Sequence, residues 1–174
     1  MVNIIAPKSI ADLPVQTAVN PSTKAQSRAR YFNTGNAFNV QLPAVPNMVF
    51  TDEPNKALSA STETCLIPCD VSDQMQCGFP ATSPLILAYY ARICSNEELE
   101  TEFISSGSIY YVIKGAGKTV LGNETIKWNA GDIFVTPGGI SQVHKADGEP
   151  VVLWVVTNEP QLAFENLQAP SQGN

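Results

Sequence analysis

The sequence predicts an all-β fold, a sandwich or barrel, preceded by an arm of little regular structure. Three observations point there. Short apolar runs recur at strand-like spacing from about residue 84 onward, turn residues punctuate them, and helical periodicity is almost absent.

The elements follow in order. Residues 84–93, PLILAYYARI, form a continuous apolar run, short and aromatic enough for a buried strand. In 99–104, LETEFI, Leu99, Thr101 and Phe103 share one face, and Glu100 and Glu102 take the other. SIYYVIKG at 108–115 is the next strand. Within 117–128, GKTVLGNETIKW, the pair Gly122-Asn123 between strand-like flanks signals a hairpin. DIFVTP at 132–137 and VVLWVVTN at 151–158 complete the set. Pro137 falls at a strand end, where its missing N–H harms a ladder least. Gly131, Gly138 and Gly139 mark sharp turns or close backbone approaches. Tyr110, Tyr111, Trp128 and Trp154 read as packing residues on apolar strands.

At 174 residues, with 44% apolar and 15% charged side chains, the chain has material for one real core and an extra arm. Its net charge of −6 argues against a nucleic-acid backbone or an anionic membrane as partner. No basic leader or long apolar run appears, so the expected compartment is the cytoplasm. Cys65, Cys69, Cys77 and Cys94 lack the tight CxxC spacing of a zinc knuckle and are expected as free, mostly buried thiols.

The division expected is an arm over residues 1–60, a β-barrel over 61–168 and a flexible tail over 169–174. The arm is rich in Asn, Pro, Ser and Thr, with apolar islands at Tyr31-Phe32, Phe38–Val40 and Met48–Phe50. Such islands cannot build a core alone, so short arm strands laid on the barrel or on a partner would suit a homodimer.

The corners Gly131, Pro137 and Gly139, and the run ending at Gly115, resemble the two sequence motifs of the cupin family. "YYVIKGAGKT" followed by "GDIFVTPGG" is most similar to the gentisate-1,2-dioxygenase-like branch. The resemblance covers roughly residues 80–165 and implies a double-stranded β-helix, or jelly-roll barrel. It also implies iron held mainly by neutral imidazoles. Here the motif histidine falls on Gln142, with His144 in the place of a second one. The motif glutamate falls on Ser108, and the paired histidines fall on Thr101 and Phe103, or with a shorter loop on Glu102 and Ile104. His144 is the only histidine in the chain, so neither a three-imidazole nor a two-His, one-carboxylate site is within reach of one chain. Strand alternation favours Thr101 and Phe103 inside: turning Glu102 inward would bury Glu100 as well, at several kcal/mol, and expose Phe103.

The interior expected from these residues is a small, apolar, lightly polar pocket of Thr101, Phe103, Ser108, Tyr110, Gln142 and His144, with Tyr110 and Val112 on a strand neighbouring Gln142 and His144. His144 itself reads as a half-exposed strand-end residue, a polar pocket member or a metal ligand. Three functions follow. The first is a cupin with a degenerate metal site, binding a small apolar or aromatic molecule or serving in assembly, with no cofactor expected. The second is a divergent metal-dependent dioxygenase using His144, Gln142 and Glu102, with Fe, Mn, Ni or Zn at low occupancy. The third is a metal-free lyase or isomerase with His144 and Tyr110 as base and acid. Whether the chain is an enzyme stays undecided at this level.

Overall fold

The computed structural model describes residues 16–31 and 42–168. The arm islands Phe32 and Phe38–Val40, and the tail expected over 169–174, lie outside the described residues.

Eleven strands carry the described chain. In the arm, β1 (Gln16–Thr17) pairs with β2 (Arg30–Tyr31). Between them, α1 (Lys24–Arg28) starts at Thr23, whose side chain accepts from the Gln26 N–H. The β1–β2 pair forms a ladder of its own and joins neither large sheet. Later in the arm, α2 (Asp52–Leu58), which the sequence reading did not foresee, packs against the barrel through Ala57.

The remaining strands are β3 (Cys65–Pro68), β4 (Leu87–Ile93), β5 (Glu98–Thr101), β6 (Gly107–Lys114), β7 (Ala116–Leu121), β8 (Glu124–Asn129), β9 (Ile133–Pro137), β10 (Gln142–Ala146) and β11 (Val151–Thr157). Two further short helices are α3 (Ser72–Met75) and α4 (Glu159–Glu165). One sheet has the order β5-β10-β7-β8, the other β3-β4-β11-β6-β9, and neighbours run antiparallel throughout. The non-sequential order is that of a jelly roll. Among the described residues no strand of one sheet pairs with a strand of the other. The two sheets share one core built from their inner faces, among them Ile93, Phe103, Tyr110, Val112, Trp128, Phe134, Leu153 and Val155.

The punctuation behaves as its chemistry requires. Gly122-Asn123 makes a two-residue loop between the paired Leu121 and Glu124, with Gly122 at φ +53°. β9 ends at Pro137. At Gly138 the chain passes so close to Ser105 that a Cβ there would overlap the Ser105 carbonyl. Because backbone meets backbone, neither side has a flexible end to move. Gly138→Ala is expected to lower unfolding free energy by about 1–3 kcal/mol, read as a drop in the urea midpoint at unchanged slope.

Two aromatic assignments need correction. Tyr111 and Trp154 were expected as packing residues, but both stand on the outer face of the five-stranded sheet and are partly exposed. Successive strand residues point to opposite faces, so Tyr110 inside puts Tyr111 outside. The strand expected from Pro84 begins only at Leu87, leaving Ile86 exposed. No helix among the described residues is long and apolar enough to cross a membrane.

Candidate functional site

All six residues assigned to the interior are buried: Thr101, Phe103, Ser108, Tyr110, Gln142 and His144. Strand alternation places them as expected, with Glu100 and Glu102 outward and exposed. Glu102 is therefore no candidate ligand. The half-exposed reading of His144 is also wrong. β10 is an inner strand, flanked by β5 and β7, and the second sheet lies across its inner face. Nor is Tyr110 on a strand neighbouring His144. β6 belongs to the opposite sheet, and the two rings meet across the interior with centroids 5.0 Å apart.

His144 is held at both nitrogens. Nε2 lies 3.0 Å from the Thr101 hydroxyl and Nδ1 lies 2.8 Å from the Thr119 hydroxyl. Trp128 Nε1, which can only donate, gives its proton to the same Thr119 oxygen at 2.9 Å. Among the described residues, Nδ1 is then the partner left for the Thr119 proton. This assigns the imidazole as the Nε2–H tautomer, donating to Thr101. The chain of donors runs Trp128, Thr119, His144, Thr101. Burial pulls the His144 pKa down from 6.5 to about 4, so the ring is neutral at pH 7.

Tyr110 donates to Gln142 Oε1 at 3.3 Å and stacks on Phe134 at 4.6 Å. Burial raises its pKa, while the nearby hydroxyls of Thr101, Thr136 and Ser108 act against that rise. Gln142 Nε2 reaches the Pro137 carbonyl at 3.4 Å, which ties the side chain to the Pro-Gly-Gly corner. Three buried hydroxyls have no hydrogen-bond partner among the described residues: Ser105, Ser108 and Thr136. Ser108 and Thr136 face each other directly across β6 and β9.

The site residues are all buried in the interior of the fold. A surface cleft of about 380 Å³, lined by Asp70, Ser72, Asp73 and Gln74, shares none of them. Thr119, Trp128, Ser105 and Thr136 were missing from the sequence-based site. Alternation along β7 and β9 carries the signal for Thr119 and Thr136, once the inward face is known.

Sequence comparison supplies the relatives. Over 76 residues the chain is 33% identical to a gentisate 1,2-dioxygenase of Haloferax sp, covering 44% of this chain and 21% of that one. Over less than half of its length the chain is thus similar to the gentisate-dioxygenase-like branch of the cupins. It is also 34% identical over 58 residues to a 5-aminosalicylate 1,2-dioxygenase of Comamonas sp, covering 33% of this chain and 16% of that one. It thus spans about a fifth or less of the curated relatives it matches. A solved salicylate 1,2-dioxygenase from Pseudoaminobacter salicylatoxidans superposes with TM-score 0.48 at 19% identity, over 63% of this chain and 29% of that one. The protein TT1209 from Thermus thermophilus does so with TM-score 0.48 at 18% identity, over 64% and 97%. No family model matches.

The iron that the fold family implies can be tested against the donors present. The positions carry Thr101, Phe103, Ser108 and Gln142: neutral hydroxyls, a phenyl ring and an amide. His144 presents a protonated Nε2 to Thr101, and Nδ1 is engaged by Thr119. No group of three His, Cys, Asp or Glu side chains converges among the described residues. These residues do not fit iron, which needs neutral imidazole or carboxylate lone pairs. All four thiols are free: Cys69 is buried, and Cys65, Cys77 and Cys94 are half-buried.

Proposed function

We propose that this cupin is a metal-free binding and assembly module with a degenerate metal site, working as a homodimer in the cytoplasm. The observation that carries the reading is the hydrogen-bonded chain through His144, which engages both nitrogens of the only imidazole. The ligand proposed is a small apolar or aromatic molecule carrying one or two hydrogen-bonding groups. Ser108 and Thr136, buried and unpartnered beside Tyr110 and Phe134, are the groups that would receive it. Four unpaired thiols suit a reducing compartment.

Dioxygenase activity is supported only by what the relatives are called. Acid–base chemistry by His144 and Tyr110 is disfavoured by their partners: the imidazole lone pair accepts from Thr119, and the phenol donates to Gln142. A base with a pKa near 4 is also weak at neutral pH.

Elemental analysis of protein purified without chelator tests the metal reading. The expected result is well under one equivalent of Fe, Mn, Ni or Zn. One tightly retained equivalent would overturn it. Thermal shift with a panel of phenols and aromatic acids tests the ligand reading: stabilisation by at least one, abolished in Ser108→Ala/Thr136→Val, is the expected outcome. Uniformly flat melting curves would count against it.

A further inference from the structure

Ser108 pairs with Thr136 on one side and with Thr157 on the other, so three hydroxyls stand in one row across β9, β6 and β11. All three residues are buried. Ser105 joins them from the loop after Phe103: its Oγ is buried and unpartnered, and its backbone leaves no room for a Cβ on Gly138, just past Thr136. The other polar groups of this interior are the Tyr110 phenol, the Gln142 amide and the neutral His144 ring.

The cations of the described residues all lie elsewhere. Lys118, Lys127 and Lys145 are next in sequence to the inward Thr119, Trp128 and His144, so they take the outer face of the four-stranded sheet. Lys114 is exposed at the far end of β6, roughly 20 Å along the strand from Ser108. Arg92 is buried, but on the outer side of the five-stranded sheet, where it donates to the Thr62 and Ala57 carbonyls at 2.6 and 2.8 Å. Lys24, Arg28, Arg30 and Lys56 are exposed in the arm. Outside the described residues the sequence holds one further basic side chain, Lys8.

The charge that does reach the row of hydroxyls is negative. Glu159, at the start of α4, accepts from the Tyr89 and Thr157 hydroxyls at 2.7 and 2.8 Å. Burial chiefly, with the charge of Glu159 adding to it, raises the Tyr110 pKa. Hydroxyls by themselves serve a neutral or an anionic oxygen, because each can donate or accept. Charge therefore decides between ligands. An anion entering here would lose its hydration without gaining a cation, and would meet Glu159 as a like charge. A neutral hydroxyl loses less, and finds a donor and an acceptor in Ser108 and Thr136.

We propose that this site selects by charge: it takes uncharged aromatic alcohols and phenols, and rejects carboxylates and phenolates of the same shape. The proposal rests on the ligand reading above and names the chemical class of the ligand.

Titration calorimetry of the full chain at pH 7 with benzyl alcohol and benzoate, alike in size and different in charge, tests it. The alcohol is expected to bind at least about 100-fold more tightly. 4-Nitrophenol, which ionises near neutrality, makes the comparison within one molecule. Its dissociation constant should rise about tenfold per pH unit once the phenolate predominates, because only the neutral fraction binds. Benzyl alcohol should show no such slope. Glu159→Gln removes the charge and keeps an acceptor for Tyr89 and Thr157; it should narrow the gap between alcohol and benzoate by about tenfold. An unchanged gap would overturn the part given to Glu159. If that variant does not fold, the 4-nitrophenol profile of the native chain carries the test. Benzoate binding as tightly as benzyl alcohol, or a level 4-nitrophenol profile, would overturn the charge selection and leave the ligand reading standing. Binding of none of the three, or binding that survives in Ser108→Ala/Thr136→Val, would overturn both.

Discussion

Trp128→Ala is expected to destabilise the fold by about 3–5 kcal/mol, a large share of the 5–15 kcal/mol that holds a typical domain together. Three contributions add. The indole is fully buried and lies parallel to the Phe134 ring, with centroids 5.9 Å apart, so its removal opens a cavity in the shared core. It also covers Gly117, its cross-strand partner, where any Cβ would strike the Trp128 ring and the Lys145 carbonyl. Alanine would leave that backbone uncovered. Finally, the donor to Thr119 disappears, and the chain that orients His144 loses its first member. Trp128→Phe isolates the last contribution: it keeps much of the ring and should cost about 1–2 kcal/mol through the lost N–H and the smaller volume. Urea unfolding followed by Trp154 fluorescence measures both, because Trp154 lies on the outer face and is retained. Equal losses in the two variants would show that hydrogen bonding, not packing, dominates; a loss under 1 kcal/mol in Trp128→Ala would refute the packing account.

How much of this was legible follows from where the information sits. Period-two alternation is local, so LETEFI alone placed Thr101 and Phe103 inside and both glutamates outside. Turn chemistry is local too, and Gly122-Asn123 and the Pro137-Gly138-Gly139 corner held. Burial of His144 was not legible, because it depends on β5, β7 and the opposite sheet, none adjacent to it in sequence. The same non-local dependence hides which outward residues stay exposed. Alternation alone says that Tyr111 and Trp154 point away from the interior, but only the reach of α2 decides which outward residues are covered. α4 carries two local signals, Pro160 in its first turn and Asn166 at φ +54° just past its end. Seven residues give too few turns for a clear helical period. The candidate site was half legible: positions came from spacing, while partners such as Thr119 came only from pairing β7 against β10.

The second large effect is a loss of stability on mild acidification. In the unfolded chain His144 should titrate near its ordinary 6.5; folded, burial holds it at about 4. Between those values the unfolded state binds a proton that the native state refuses, so stability must rise with pH across the interval. The contribution is complete above about pH 6.5. It is lost progressively as pH falls, reaching about 3 kcal/mol once both states are protonated. The structure gives a reason beyond desolvation. A proton on Nδ1 would turn the acceptor for Thr119 into a second donor facing an oxygen that already accepts from Trp128. The window from pH 6.5 to 5 is the informative part, because carboxylates dominate below it and the chain has no other imidazole. Unfolding free energies at pH 7, 6 and 5 should fall by about 2 kcal/mol in the native protein. His144→Gln should be less stable at pH 7 yet nearly flat over the same range. A flat native profile would mean that the ring accepts its proton in place, and the neutral, doubly hydrogen-bonded imidazole assigned here would have to be given up.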